Sequence, residues 1–499
     1  MSEAATIDRA EALMAQGETA EALALTQGLV SVPTPSHLAL AVHAGALKLV
    51  GRREEALAFD QQAIERFGTS PIAWHNYAAT LDDLGRAGEA VAACEQAFRL
   101  GMDAPQTFAL YARALRASGN HERADYAYRQ SLIRAPGATE VAVEFANYVW
   151  MRTGDAAASD VILDGAFHGG GDPSALLQAK ATLYEAAGDA DRGARLLELA
   201  SQKMPGDLAI LLAAIEQALR LERIDDAERY VRLAEAADPA ARAVVQSSAI
   251  VDLARGRADV ALAKIRGALA AHPDDQSLWG WAATAARATG DPLYAELCDY
   301  DAVVGAYDLP VPEGWTSLEA FLKDLGKSLK DIHTYQQHPT NQSLRHGSQT
   351  MHLLSGSDDP AVKAFFRALD APIRKHMAKL GQGADPLRRR NTQDYRIQGA
   401  WSVRLRPGGF HREHFHPEGW LSSAFYVETP DAALETVDKQ GWIGFGRPPF
   451  VTDPPMAPAH FVKPKPGRLV LFPSYMWHGT VPFTTDEARM TIAFDAVPK

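Results

Sequence analysis

The sequence predicts a chain of two unlike parts, an all-α array of helix pairs over residues 1–305 and an antiparallel β-domain over residues 391–499. A helical connector, residues 306–390, is expected to pack on the β-domain. The prediction depends on a 34-residue period in the first part and on short β-type runs separated by Gly and Pro in the last. Charge divides at the same place, since residues 1–300 carry a net −14 and residues 301–499 a net +2, with 10 of the 16 histidines.

The composition excludes several classes of protein. The 499 residues carry a net charge of −12, and this balance argues against nucleic-acid binding and against attachment to an anionic membrane, because both draw on excess Lys and Arg. The two cysteines, Cys94 and Cys298, cannot build a disulfide framework or a Cys-ligated zinc site. The longest apolar stretch, Leu208 to Ile215, is too short to cross a bilayer. Because the first residues also lack the layout of a secretion signal, we expect a cytoplasmic protein.

Glycine marks the repeats at a spacing of 34 residues, with one interval of 35, and Glu222 takes the one place where Gly is missing. The glycines are Gly17, Gly51, Gly85, Gly119, Gly154, Gly188, Gly256 and Gly290. Small residues such as Ala22 and Ala261 follow at a fixed offset, and Pro ends several repeats, as at Pro136. Gly ends a helix in the left-handed conformation, small residues let helices approach, and Pro blocks continuation. Each repeat is therefore predicted to be a pair of helices.

These features resemble the tetratricopeptide repeat in period, in small-residue positions and in the terminal Pro, over about residues 1–305. The resemblance implies an α-solenoid whose concave face holds an extended peptide or a partner protein. Self-association into a homodimer is the other role that such repeats could serve. The net charge of −14 favours a basic or polar partner.

The period is lost in the connector. Apolar residues at helical spacing predict helices over residues 317–331 and 359–379. The polar segment 341–350 between them is predicted to be a loop. Farther on, residues 441–460 carry several aromatic residues and prolines, and this segment is predicted to be either a substrate lid or a rigid insertion between strands.

The last part of the chain carries the candidate chemistry. The β-type runs are residues 395–405, 421–427, 468–472 and 489–496. His411, His414 and His416 fall within six positions, and His414 and His416 can present their imidazoles together, because residues two apart on a strand share a face. His478 ends a second cluster and Arg489 follows it. A buried Arg in such a place suggests an anchor for a carboxylate.

The order of these motifs resembles the double-stranded β-helix, or jelly roll, of the Fe(II)- and 2-oxoglutarate-dependent oxygenases, over about residues 390–499. The match is closest to the prolyl-hydroxylase-like group, and the string HFHPEGWLSSAFYV is similar to a bacterial and phage branch in which H-x-H-P replaces H-x-D. The resemblance implies a jelly roll with flanking helices and Fe(II) on His414, His416 and His478. It also implies that Arg489 and Tyr426 hold the distal carboxylate of 2-oxoglutarate. The implied reaction consumes O₂, forms succinate and hydroxylates a substrate, for which the attached repeats favour a protein or peptide.

Three imidazoles depart from the two His and one carboxylate that non-haem iron oxygenases typically use. His411 and Glu413 together with His478 would restore a carboxylate, and they stay an alternative ligand set. Three imidazoles could also hold Zn(II). Two other functions stay open: a repeat-based interaction scaffold with a degenerate metal-binding jelly roll, and a cupin-like metalloenzyme that does not use 2-oxoglutarate.

Overall fold

The structure is a computed structural model that describes residues 2–351, 354–435 and 437–499. Its internal contacts divide the chain into two compact units, residues 1–141 and 142–499. The division falls inside the predicted repeat array, so that the later repeats belong to the same unit as the β-domain.

The first unit consists of antiparallel helix pairs, as predicted. Ser2, Ser36 and Ser70, one repeat apart, each begin the first helix of a pair, and their hydroxyl oxygens accept hydrogen bonds from backbone N–H groups three residues later. The helices of this unit are α1 (Glu3–Ala15), α2 (Thr19–Val30), α3 (His37–Leu49), α4 (Arg53–Arg66), α5 (Pro71–Asp83), α6 (Ala87–Arg99), α7 (Pro105–Ala117) and α8 (His121–Arg134).

The second unit continues the helix pairs and then adds the β-domain. Its repeat helices are α9 (Thr139–Thr153), α10 (Ala156–His168), α11 (Pro173–Ala186), α12 (Ala190–Lys203), α13 (Leu208–Arg220), α14 (Ile224–Ala237), α15 (Arg242–Ala254), α16 (Ala258–Ala271) and α17 (Gln276–Thr289). Two short helices follow, α18 (Leu293–Leu297) and α19 (Tyr300–Val303). The pairing and the 34-residue period confirm the prediction of a tetratricopeptide-type array.

The turn between the two helices of each pair depends on one left-handed residue. All eight marker glycines have φ between 71° and 87°, a region that residues with a Cβ enter only at a cost. Glu222, which stands where the period calls for Gly, has φ 57°. The repeat geometry therefore holds Glu222 in a conformation that its own side chain disfavours.

The later repeats and the β-domain share a hydrophobic core. Trp477 of the β-domain packs against Trp281 of α17, with ring centroids 4.8 Å apart, and its indole N–H donates to the Gly280 carbonyl oxygen at 3.1 Å. A Cβ on Gly280 would lie 2.8 Å from the carbonyl oxygen of Tyr475. Only a residue without a side chain fits this close approach of α17 to the turn that contains Tyr475.

The connector contains the predicted helices, with one break. They are α20 (Leu318–Ile332), α21 (Pro360–Ala368) and α22 (Asp370–Leu380), so that the second predicted helix is divided at Leu369. The prediction of a loop over residues 341–350 is wrong for Leu344–Gln349, which forms a strand at the edge of the main sheet. This strand lacks an apolar pattern, and pairing with its neighbour overrides its weak β-propensity.

The β-domain is a jelly roll of two antiparallel sheets, as predicted. Its strands are β1 (Gly305–Asp308), β2 (Leu344–Gln349), β3 (Tyr395–His411), β4 (Leu421–Glu428), β5 (Ile443–Phe445), β6 (His460–Val462), β7 (Arg468–Pro473), β8 (His478–Thr480) and β9 (Arg489–Pro498). The larger sheet has the order β1-β7-β4-β9-β3-β2 and the smaller one the order β6-β5-β8. A short helix, α23 (Asp431–Glu435), follows β4.

The segment 441–460 is tied down at both ends. Its strand β5 pairs with β8, and the guanidinium of Arg287 in α17 donates to the carbonyl oxygens of Gly446 and Ala457, both at 2.9 Å. The ring of Phe450 stacks on Trp281 with centroids 6.0 Å apart. These contacts are typical of a rigid insertion. Within the described part of the chain, no helix combines the length and the hydropathy of a transmembrane span.

We predict that Glu222→Gly raises the free energy of unfolding by about 0.5 to 1 kcal/mol, because Gly relieves a left-handed strain of about 1–2 kcal/mol and costs somewhat less in chain entropy. Urea unfolding followed by circular dichroism measures the change. The matched control is Glu222→Ala, which keeps a Cβ and is expected to bring no gain; a Gly variant that unfolds at a lower urea concentration would contradict the assignment.

Candidate metal centre

Backbone pairing brings the two histidine clusters together. His414 and His478 form an isolated antiparallel bridge in which each N–H donates to the other residue's carbonyl oxygen, at 3.0 and 2.9 Å. Two residues farther on, the His416 N–H donates to the Ser474 carbonyl oxygen at 2.9 Å. The segment after β3 therefore runs antiparallel to the segment that enters β8, and the three imidazoles meet on one side of it.

The three rings are close enough to share one ion. The centroid of the His414 ring lies 4.1 Å from that of His478 and 5.2 Å from that of His416, and the last two are 5.1 Å apart. One nitrogen of each ring lies within 4.8 Å of those of the other two. Imidazole nitrogens are ligands for Fe(II), Zn(II) and other transition metals.

Hydrogen bonds fix the tautomer of these rings. Nδ1 of His414 donates to the Arg412 carbonyl oxygen and Nδ1 of His478 to the Met476 carbonyl oxygen, both at 2.9 Å. Nδ1 of His416 donates to the carboxylate of Asp495 at 2.6 Å. Because carbonyl and carboxylate oxygens only accept, each Nδ1 carries the proton and each Nε2 keeps its lone pair. Metal-bound histidines are oriented in this way by their outer partners.

Burial keeps two of the three imidazoles, those of His414 and His478, uncharged. It lowers the pKa of His414 to about 3, and the neighbouring His416 adds to this effect. The pKa of His478 also lies well below its ordinary value, first because of burial and then because of the other two imidazoles. A neutral imidazole is the form that binds a metal ion.

His411 and Glu413, the alternative ligands, each have a hydrogen-bond partner outside the three-imidazole cluster. The carboxylate of Glu413 accepts a hydrogen bond from Nε of Arg447 at 2.6 Å and lies in a groove beside the repeats. The His411 ring stacks beside His414, with centroids 5.6 Å apart, and its Nδ1 contacts the Ser343 hydroxyl at 2.9 Å. Within the described residues, the cluster whose nitrogens converge is His414, His416 and His478.

A cavity of about 250 Å³ lies between the two sheets and opens onto the imidazoles. Alternate residues of β9 line one wall, since every second side chain of a strand points to the same face. These residues are Arg489, Thr491, Ala493 and Asp495. Trp401 and Val403 of β3 and Ile443 of β5 complete the walls.

Arg489 and Tyr426 lie buried on neighbouring strands. Arg489 is 2% exposed and Tyr426 is fully buried, and the guanidinium carbon lies 5.0 Å from the centre of the Tyr426 ring. Burial raises the pKa of Tyr426. Arg489 Nε and the Tyr426 hydroxyl have no hydrogen-bond partner of good geometry among the described residues. Arg489 lines the cavity, so that an anionic group there would satisfy its guanidinium, which is costly to bury unpaired.

Asp495 is a site residue that the sequence reading does not single out. Besides His416 it accepts a hydrogen bond from the Ser422 hydroxyl at 2.7 Å, so that the carboxylate is held between β4 and the histidine segment. The alternation of side chains along β9 predicts its position, because Asp495 lies six residues after Arg489 and therefore on the same face of the strand.

Residues 399–495 match the model of a protein family described as "Putative 2OG-Fe(II) oxygenase". A search of curated proteins found no match. Among solved structures, the chain is similar to one described as pilF from Pseudomonas aeruginosa, with 19% identity, a TM-score of 0.33, and coverage of 41% of this chain and 93% of the other. It is also similar to a tetratricopeptide repeat protein from Parabacteroides merdae, with 14% identity, a TM-score of 0.33, and coverage of 47% and 92%. The Cut9–Hcn1 hetero-tetramer of APC/C matches with 14% identity, a TM-score of 0.32, and coverage of 57% of this chain and 56% of the other.

The repeat assignment depends on the helix pairs and their 34-residue period, and the assignment of the β-domain on the jelly roll and the family match. The chain is therefore a tetratricopeptide-type repeat array joined to a jelly-roll domain that matches the model of the "Putative 2OG-Fe(II) oxygenase" family.

Proposed function

We propose that the chain is a 2-oxoglutarate- and Fe(II)-dependent dioxygenase that hydroxylates a protein or peptide recruited by its repeats. The observation that carries the proposal is the convergence of three imidazoles, each with Nδ1 held by an acceptor, inside a domain that matches the oxygenase family. Cytoplasmic location and self-association through the repeats stay predictions.

The donors in the cavity fit the implied groups. His414, His416 and His478 would hold the metal through Nε2, and Arg489 with the Tyr426 hydroxyl would hold the distal carboxylate of 2-oxoglutarate. When bound, the iron and the cosubstrate supply the activation of O₂ and the attack on a substrate C–H bond. The protein's part is to bind and orient these groups and to exclude water, for which the buried walls of the cavity are suited.

Asp495 supplies the negative charge that an all-imidazole site lacks. A divalent ion on three neutral ligands keeps its full charge, whereas a ligand set with one carboxylate neutralises part of it. The Asp495 carboxylate bonds the far nitrogen of His416, so that it makes this imidazole a stronger donor and compensates the charge from outside the coordination sphere.

Anaerobic addition of Fe(II) and 2-oxoglutarate tests the proposal. A charge-transfer absorption band between metal and cosubstrate is expected, and admission of O₂ should then yield succinate. A folded, iron-loaded sample that shows neither the band nor succinate would exclude this function. Zn(II) binding without turnover would favour a metal-stabilised jelly roll instead.

The two ligand sets predict opposite results for one pair of variants. We expect His416→Ala to abolish stoichiometric iron binding, and Glu413→Ala to leave it largely intact, because the Glu413 carboxylate is paired with Arg447. Equilibrium dialysis with iron analysis measures both variants. The reverse result would move the site to His411 and Glu413.

Asp495→Asn is expected to weaken metal binding by about 10- to 100-fold, the usual effect of losing an outer partner of a ligating histidine. The neutral amide keeps the size of the side chain but loses the charge that polarises His416. Competitive titration against a chelator measures the affinity. Ser422→Ala, which removes a donor to the same carboxylate and keeps its charge, is the matched control and should have the smaller effect.

A further inference from the structure

A second cavity, of about 990 Å³, extends from the metal centre along the repeats of the second unit. One wall is formed by the first helices of four successive pairs, α11, α13, α15 and α17, and the other by the β-domain. Gln342, Ser343, His414 and Phe415 line both this groove and the cavity between the sheets. The groove therefore leads to the imidazoles.

The length of the groove suits a polymer. The four helices contact one another in order, and neighbouring packed helices lie about 9 Å apart, so that the groove spans about 27 Å. An extended polypeptide covers that distance with about eight residues, at about 3.3 Å for each residue.

Amide side chains line the groove at intervals. Gln178 and Gln246 occupy equivalent positions two repeats apart, and Asn341 and Gln342 lie on the opposite side. Gln246 accepts from the Ser277 hydroxyl at 2.9 Å, which leaves its NH₂ group available. In the part of the chain that the structure describes, the side chains of Gln178, Asn341 and Gln342 make no hydrogen bond. An amide both donates and accepts, as the backbone of an extended peptide requires.

An arginine cluster gives the groove a local positive charge. Arg220, Arg345 and Arg412 all surround the carboxylate of Glu185: Arg220 at 3.8 Å, Arg345 at 3.5 Å, and Arg412 through a short hydrogen bond. Glu216 pairs with Arg220 at 2.6 Å. Three guanidinium groups thus share two carboxylates.

The environment of these groups agrees with an excess of positive charge. Burial, and then the charge of Arg412, lower the pKa of Arg345 to about 10, and its Nε is buried without a hydrogen-bond partner among the described residues. Burial opposes ionisation of Glu185, yet the surrounding arginines hold the pKa of its carboxyl below the usual value. The side chains of Arg220 and Arg412 are 29% and 35% exposed, so that a ligand can reach them.

The other charges of the groove are balanced or lie elsewhere. Arg242 pairs with Asp275, and Glu413 with Arg447. Glu418 is exposed where the groove meets the cavity between the sheets.

We infer that this groove binds an extended polypeptide that carries a carboxylate, which lies against Arg220 and Arg412, and that it brings a neighbouring residue to the imidazoles. The reaction at the imidazoles rests on the proposed function, whereas the binding of the polypeptide in the groove does not. Arg412 precedes His414 by two residues, about 7 Å along a strand, so that the acidic group should lie within two or three residues of the modified one. The local charge thus reverses the preference for a basic partner that the net charge of the array suggested.

Peptide pools test the inference on the full chain, kept under argon with Fe(II) and 2-oxoglutarate so that nothing reacts. Each pool consists of labelled peptides of about twelve residues, randomised among neutral residues, acetylated and amidated, with Glu, Gln or Lys fixed in the middle. Fluorescence anisotropy measures binding. We expect the Glu pool to bind about tenfold more tightly than the Gln pool, and the Lys pool most weakly. A Gln pool that keeps its free C-terminal carboxylate measures whether a terminal carboxylate binds as tightly as a Glu side chain.

Variants assign the preference to the cluster. Arg412→Gln and Arg220→Gln should each reduce the ratio of Glu to Gln affinities to about twofold, whereas Arg412→Lys should keep most of it. Arg195→Gln, which changes an exposed arginine of α12 that does not line the groove, should leave the ratio unchanged. Thermal unfolding shows which variants remain folded. If Arg412→Gln does not fold, Arg220→Gln alone tests the role of the cluster. Equal binding of the Glu and Gln pools, preference for Lys, or no binding of any pool overturns the inference. Binding of the Glu pool without succinate formation after O₂ is admitted would retain the groove and refute the oxygenase.

Discussion

Trp477 and His478 are consecutive residues with opposite environments, and the candidate metal centre depends on this opposition. The Trp477 indole is fixed in the core of the last repeats by hydrogen bonds to the Gly280 carbonyl and the Thr284 hydroxyl, at 3.1 and 3.0 Å. The next side chain points into the cavity between the sheets, because successive side chains of extended backbone alternate. The helix pair that includes α17 therefore positions His478, and through its backbone bridge also His414. A change in the packing of the repeats would reach the imidazoles through one strand.

The three imidazoles converge without a carboxylate among them. Burial keeps His414 and His478 neutral, and carbonyl oxygens hold their protons on Nδ1. A carboxylate lies next to the cluster, where Asp495 accepts a hydrogen bond from Nδ1 of His416. Arg489 also lines the cavity, and the buried ring of Tyr426 lies beside its guanidinium. The cavity is thus lined by a buried guanidinium as well as by the three imidazoles.

Much of this arrangement follows from local sequence. The 34-residue period identifies the turn of each repeat, and it even assigns Glu222, at φ 57°, to a turn that its residue type disfavours. The spacing of His414 and His416 predicts a shared face, and the runs around Leu421 and Arg489 predict strands that the structure contains.

Other features arise only from tertiary contacts. Strand β2 is polar and exists because β3 offers an unpaired edge. The role of Asp495 depends on the register of β9 against β4, in which Ser422 lies opposite Asp495. The division of the chain near residue 141 was not predictable from a period that continues across it. The arginine cluster around Glu185 combines residues more than two hundred positions apart.

Gly280 lies where the last repeat packs against the β-domain, and its lack of a side chain makes this packing possible. The equivalent residues of earlier repeats are Gln178, Leu212 and Gln246, and they line the groove. At position 280 the β-domain comes so close that a Cβ would meet the Tyr475 carbonyl oxygen at 2.8 Å. The last pair of the array is therefore no longer interchangeable with its neighbours. At this position the earlier repeats present a side chain to the groove, whereas the last repeat packs its backbone directly against the β-domain.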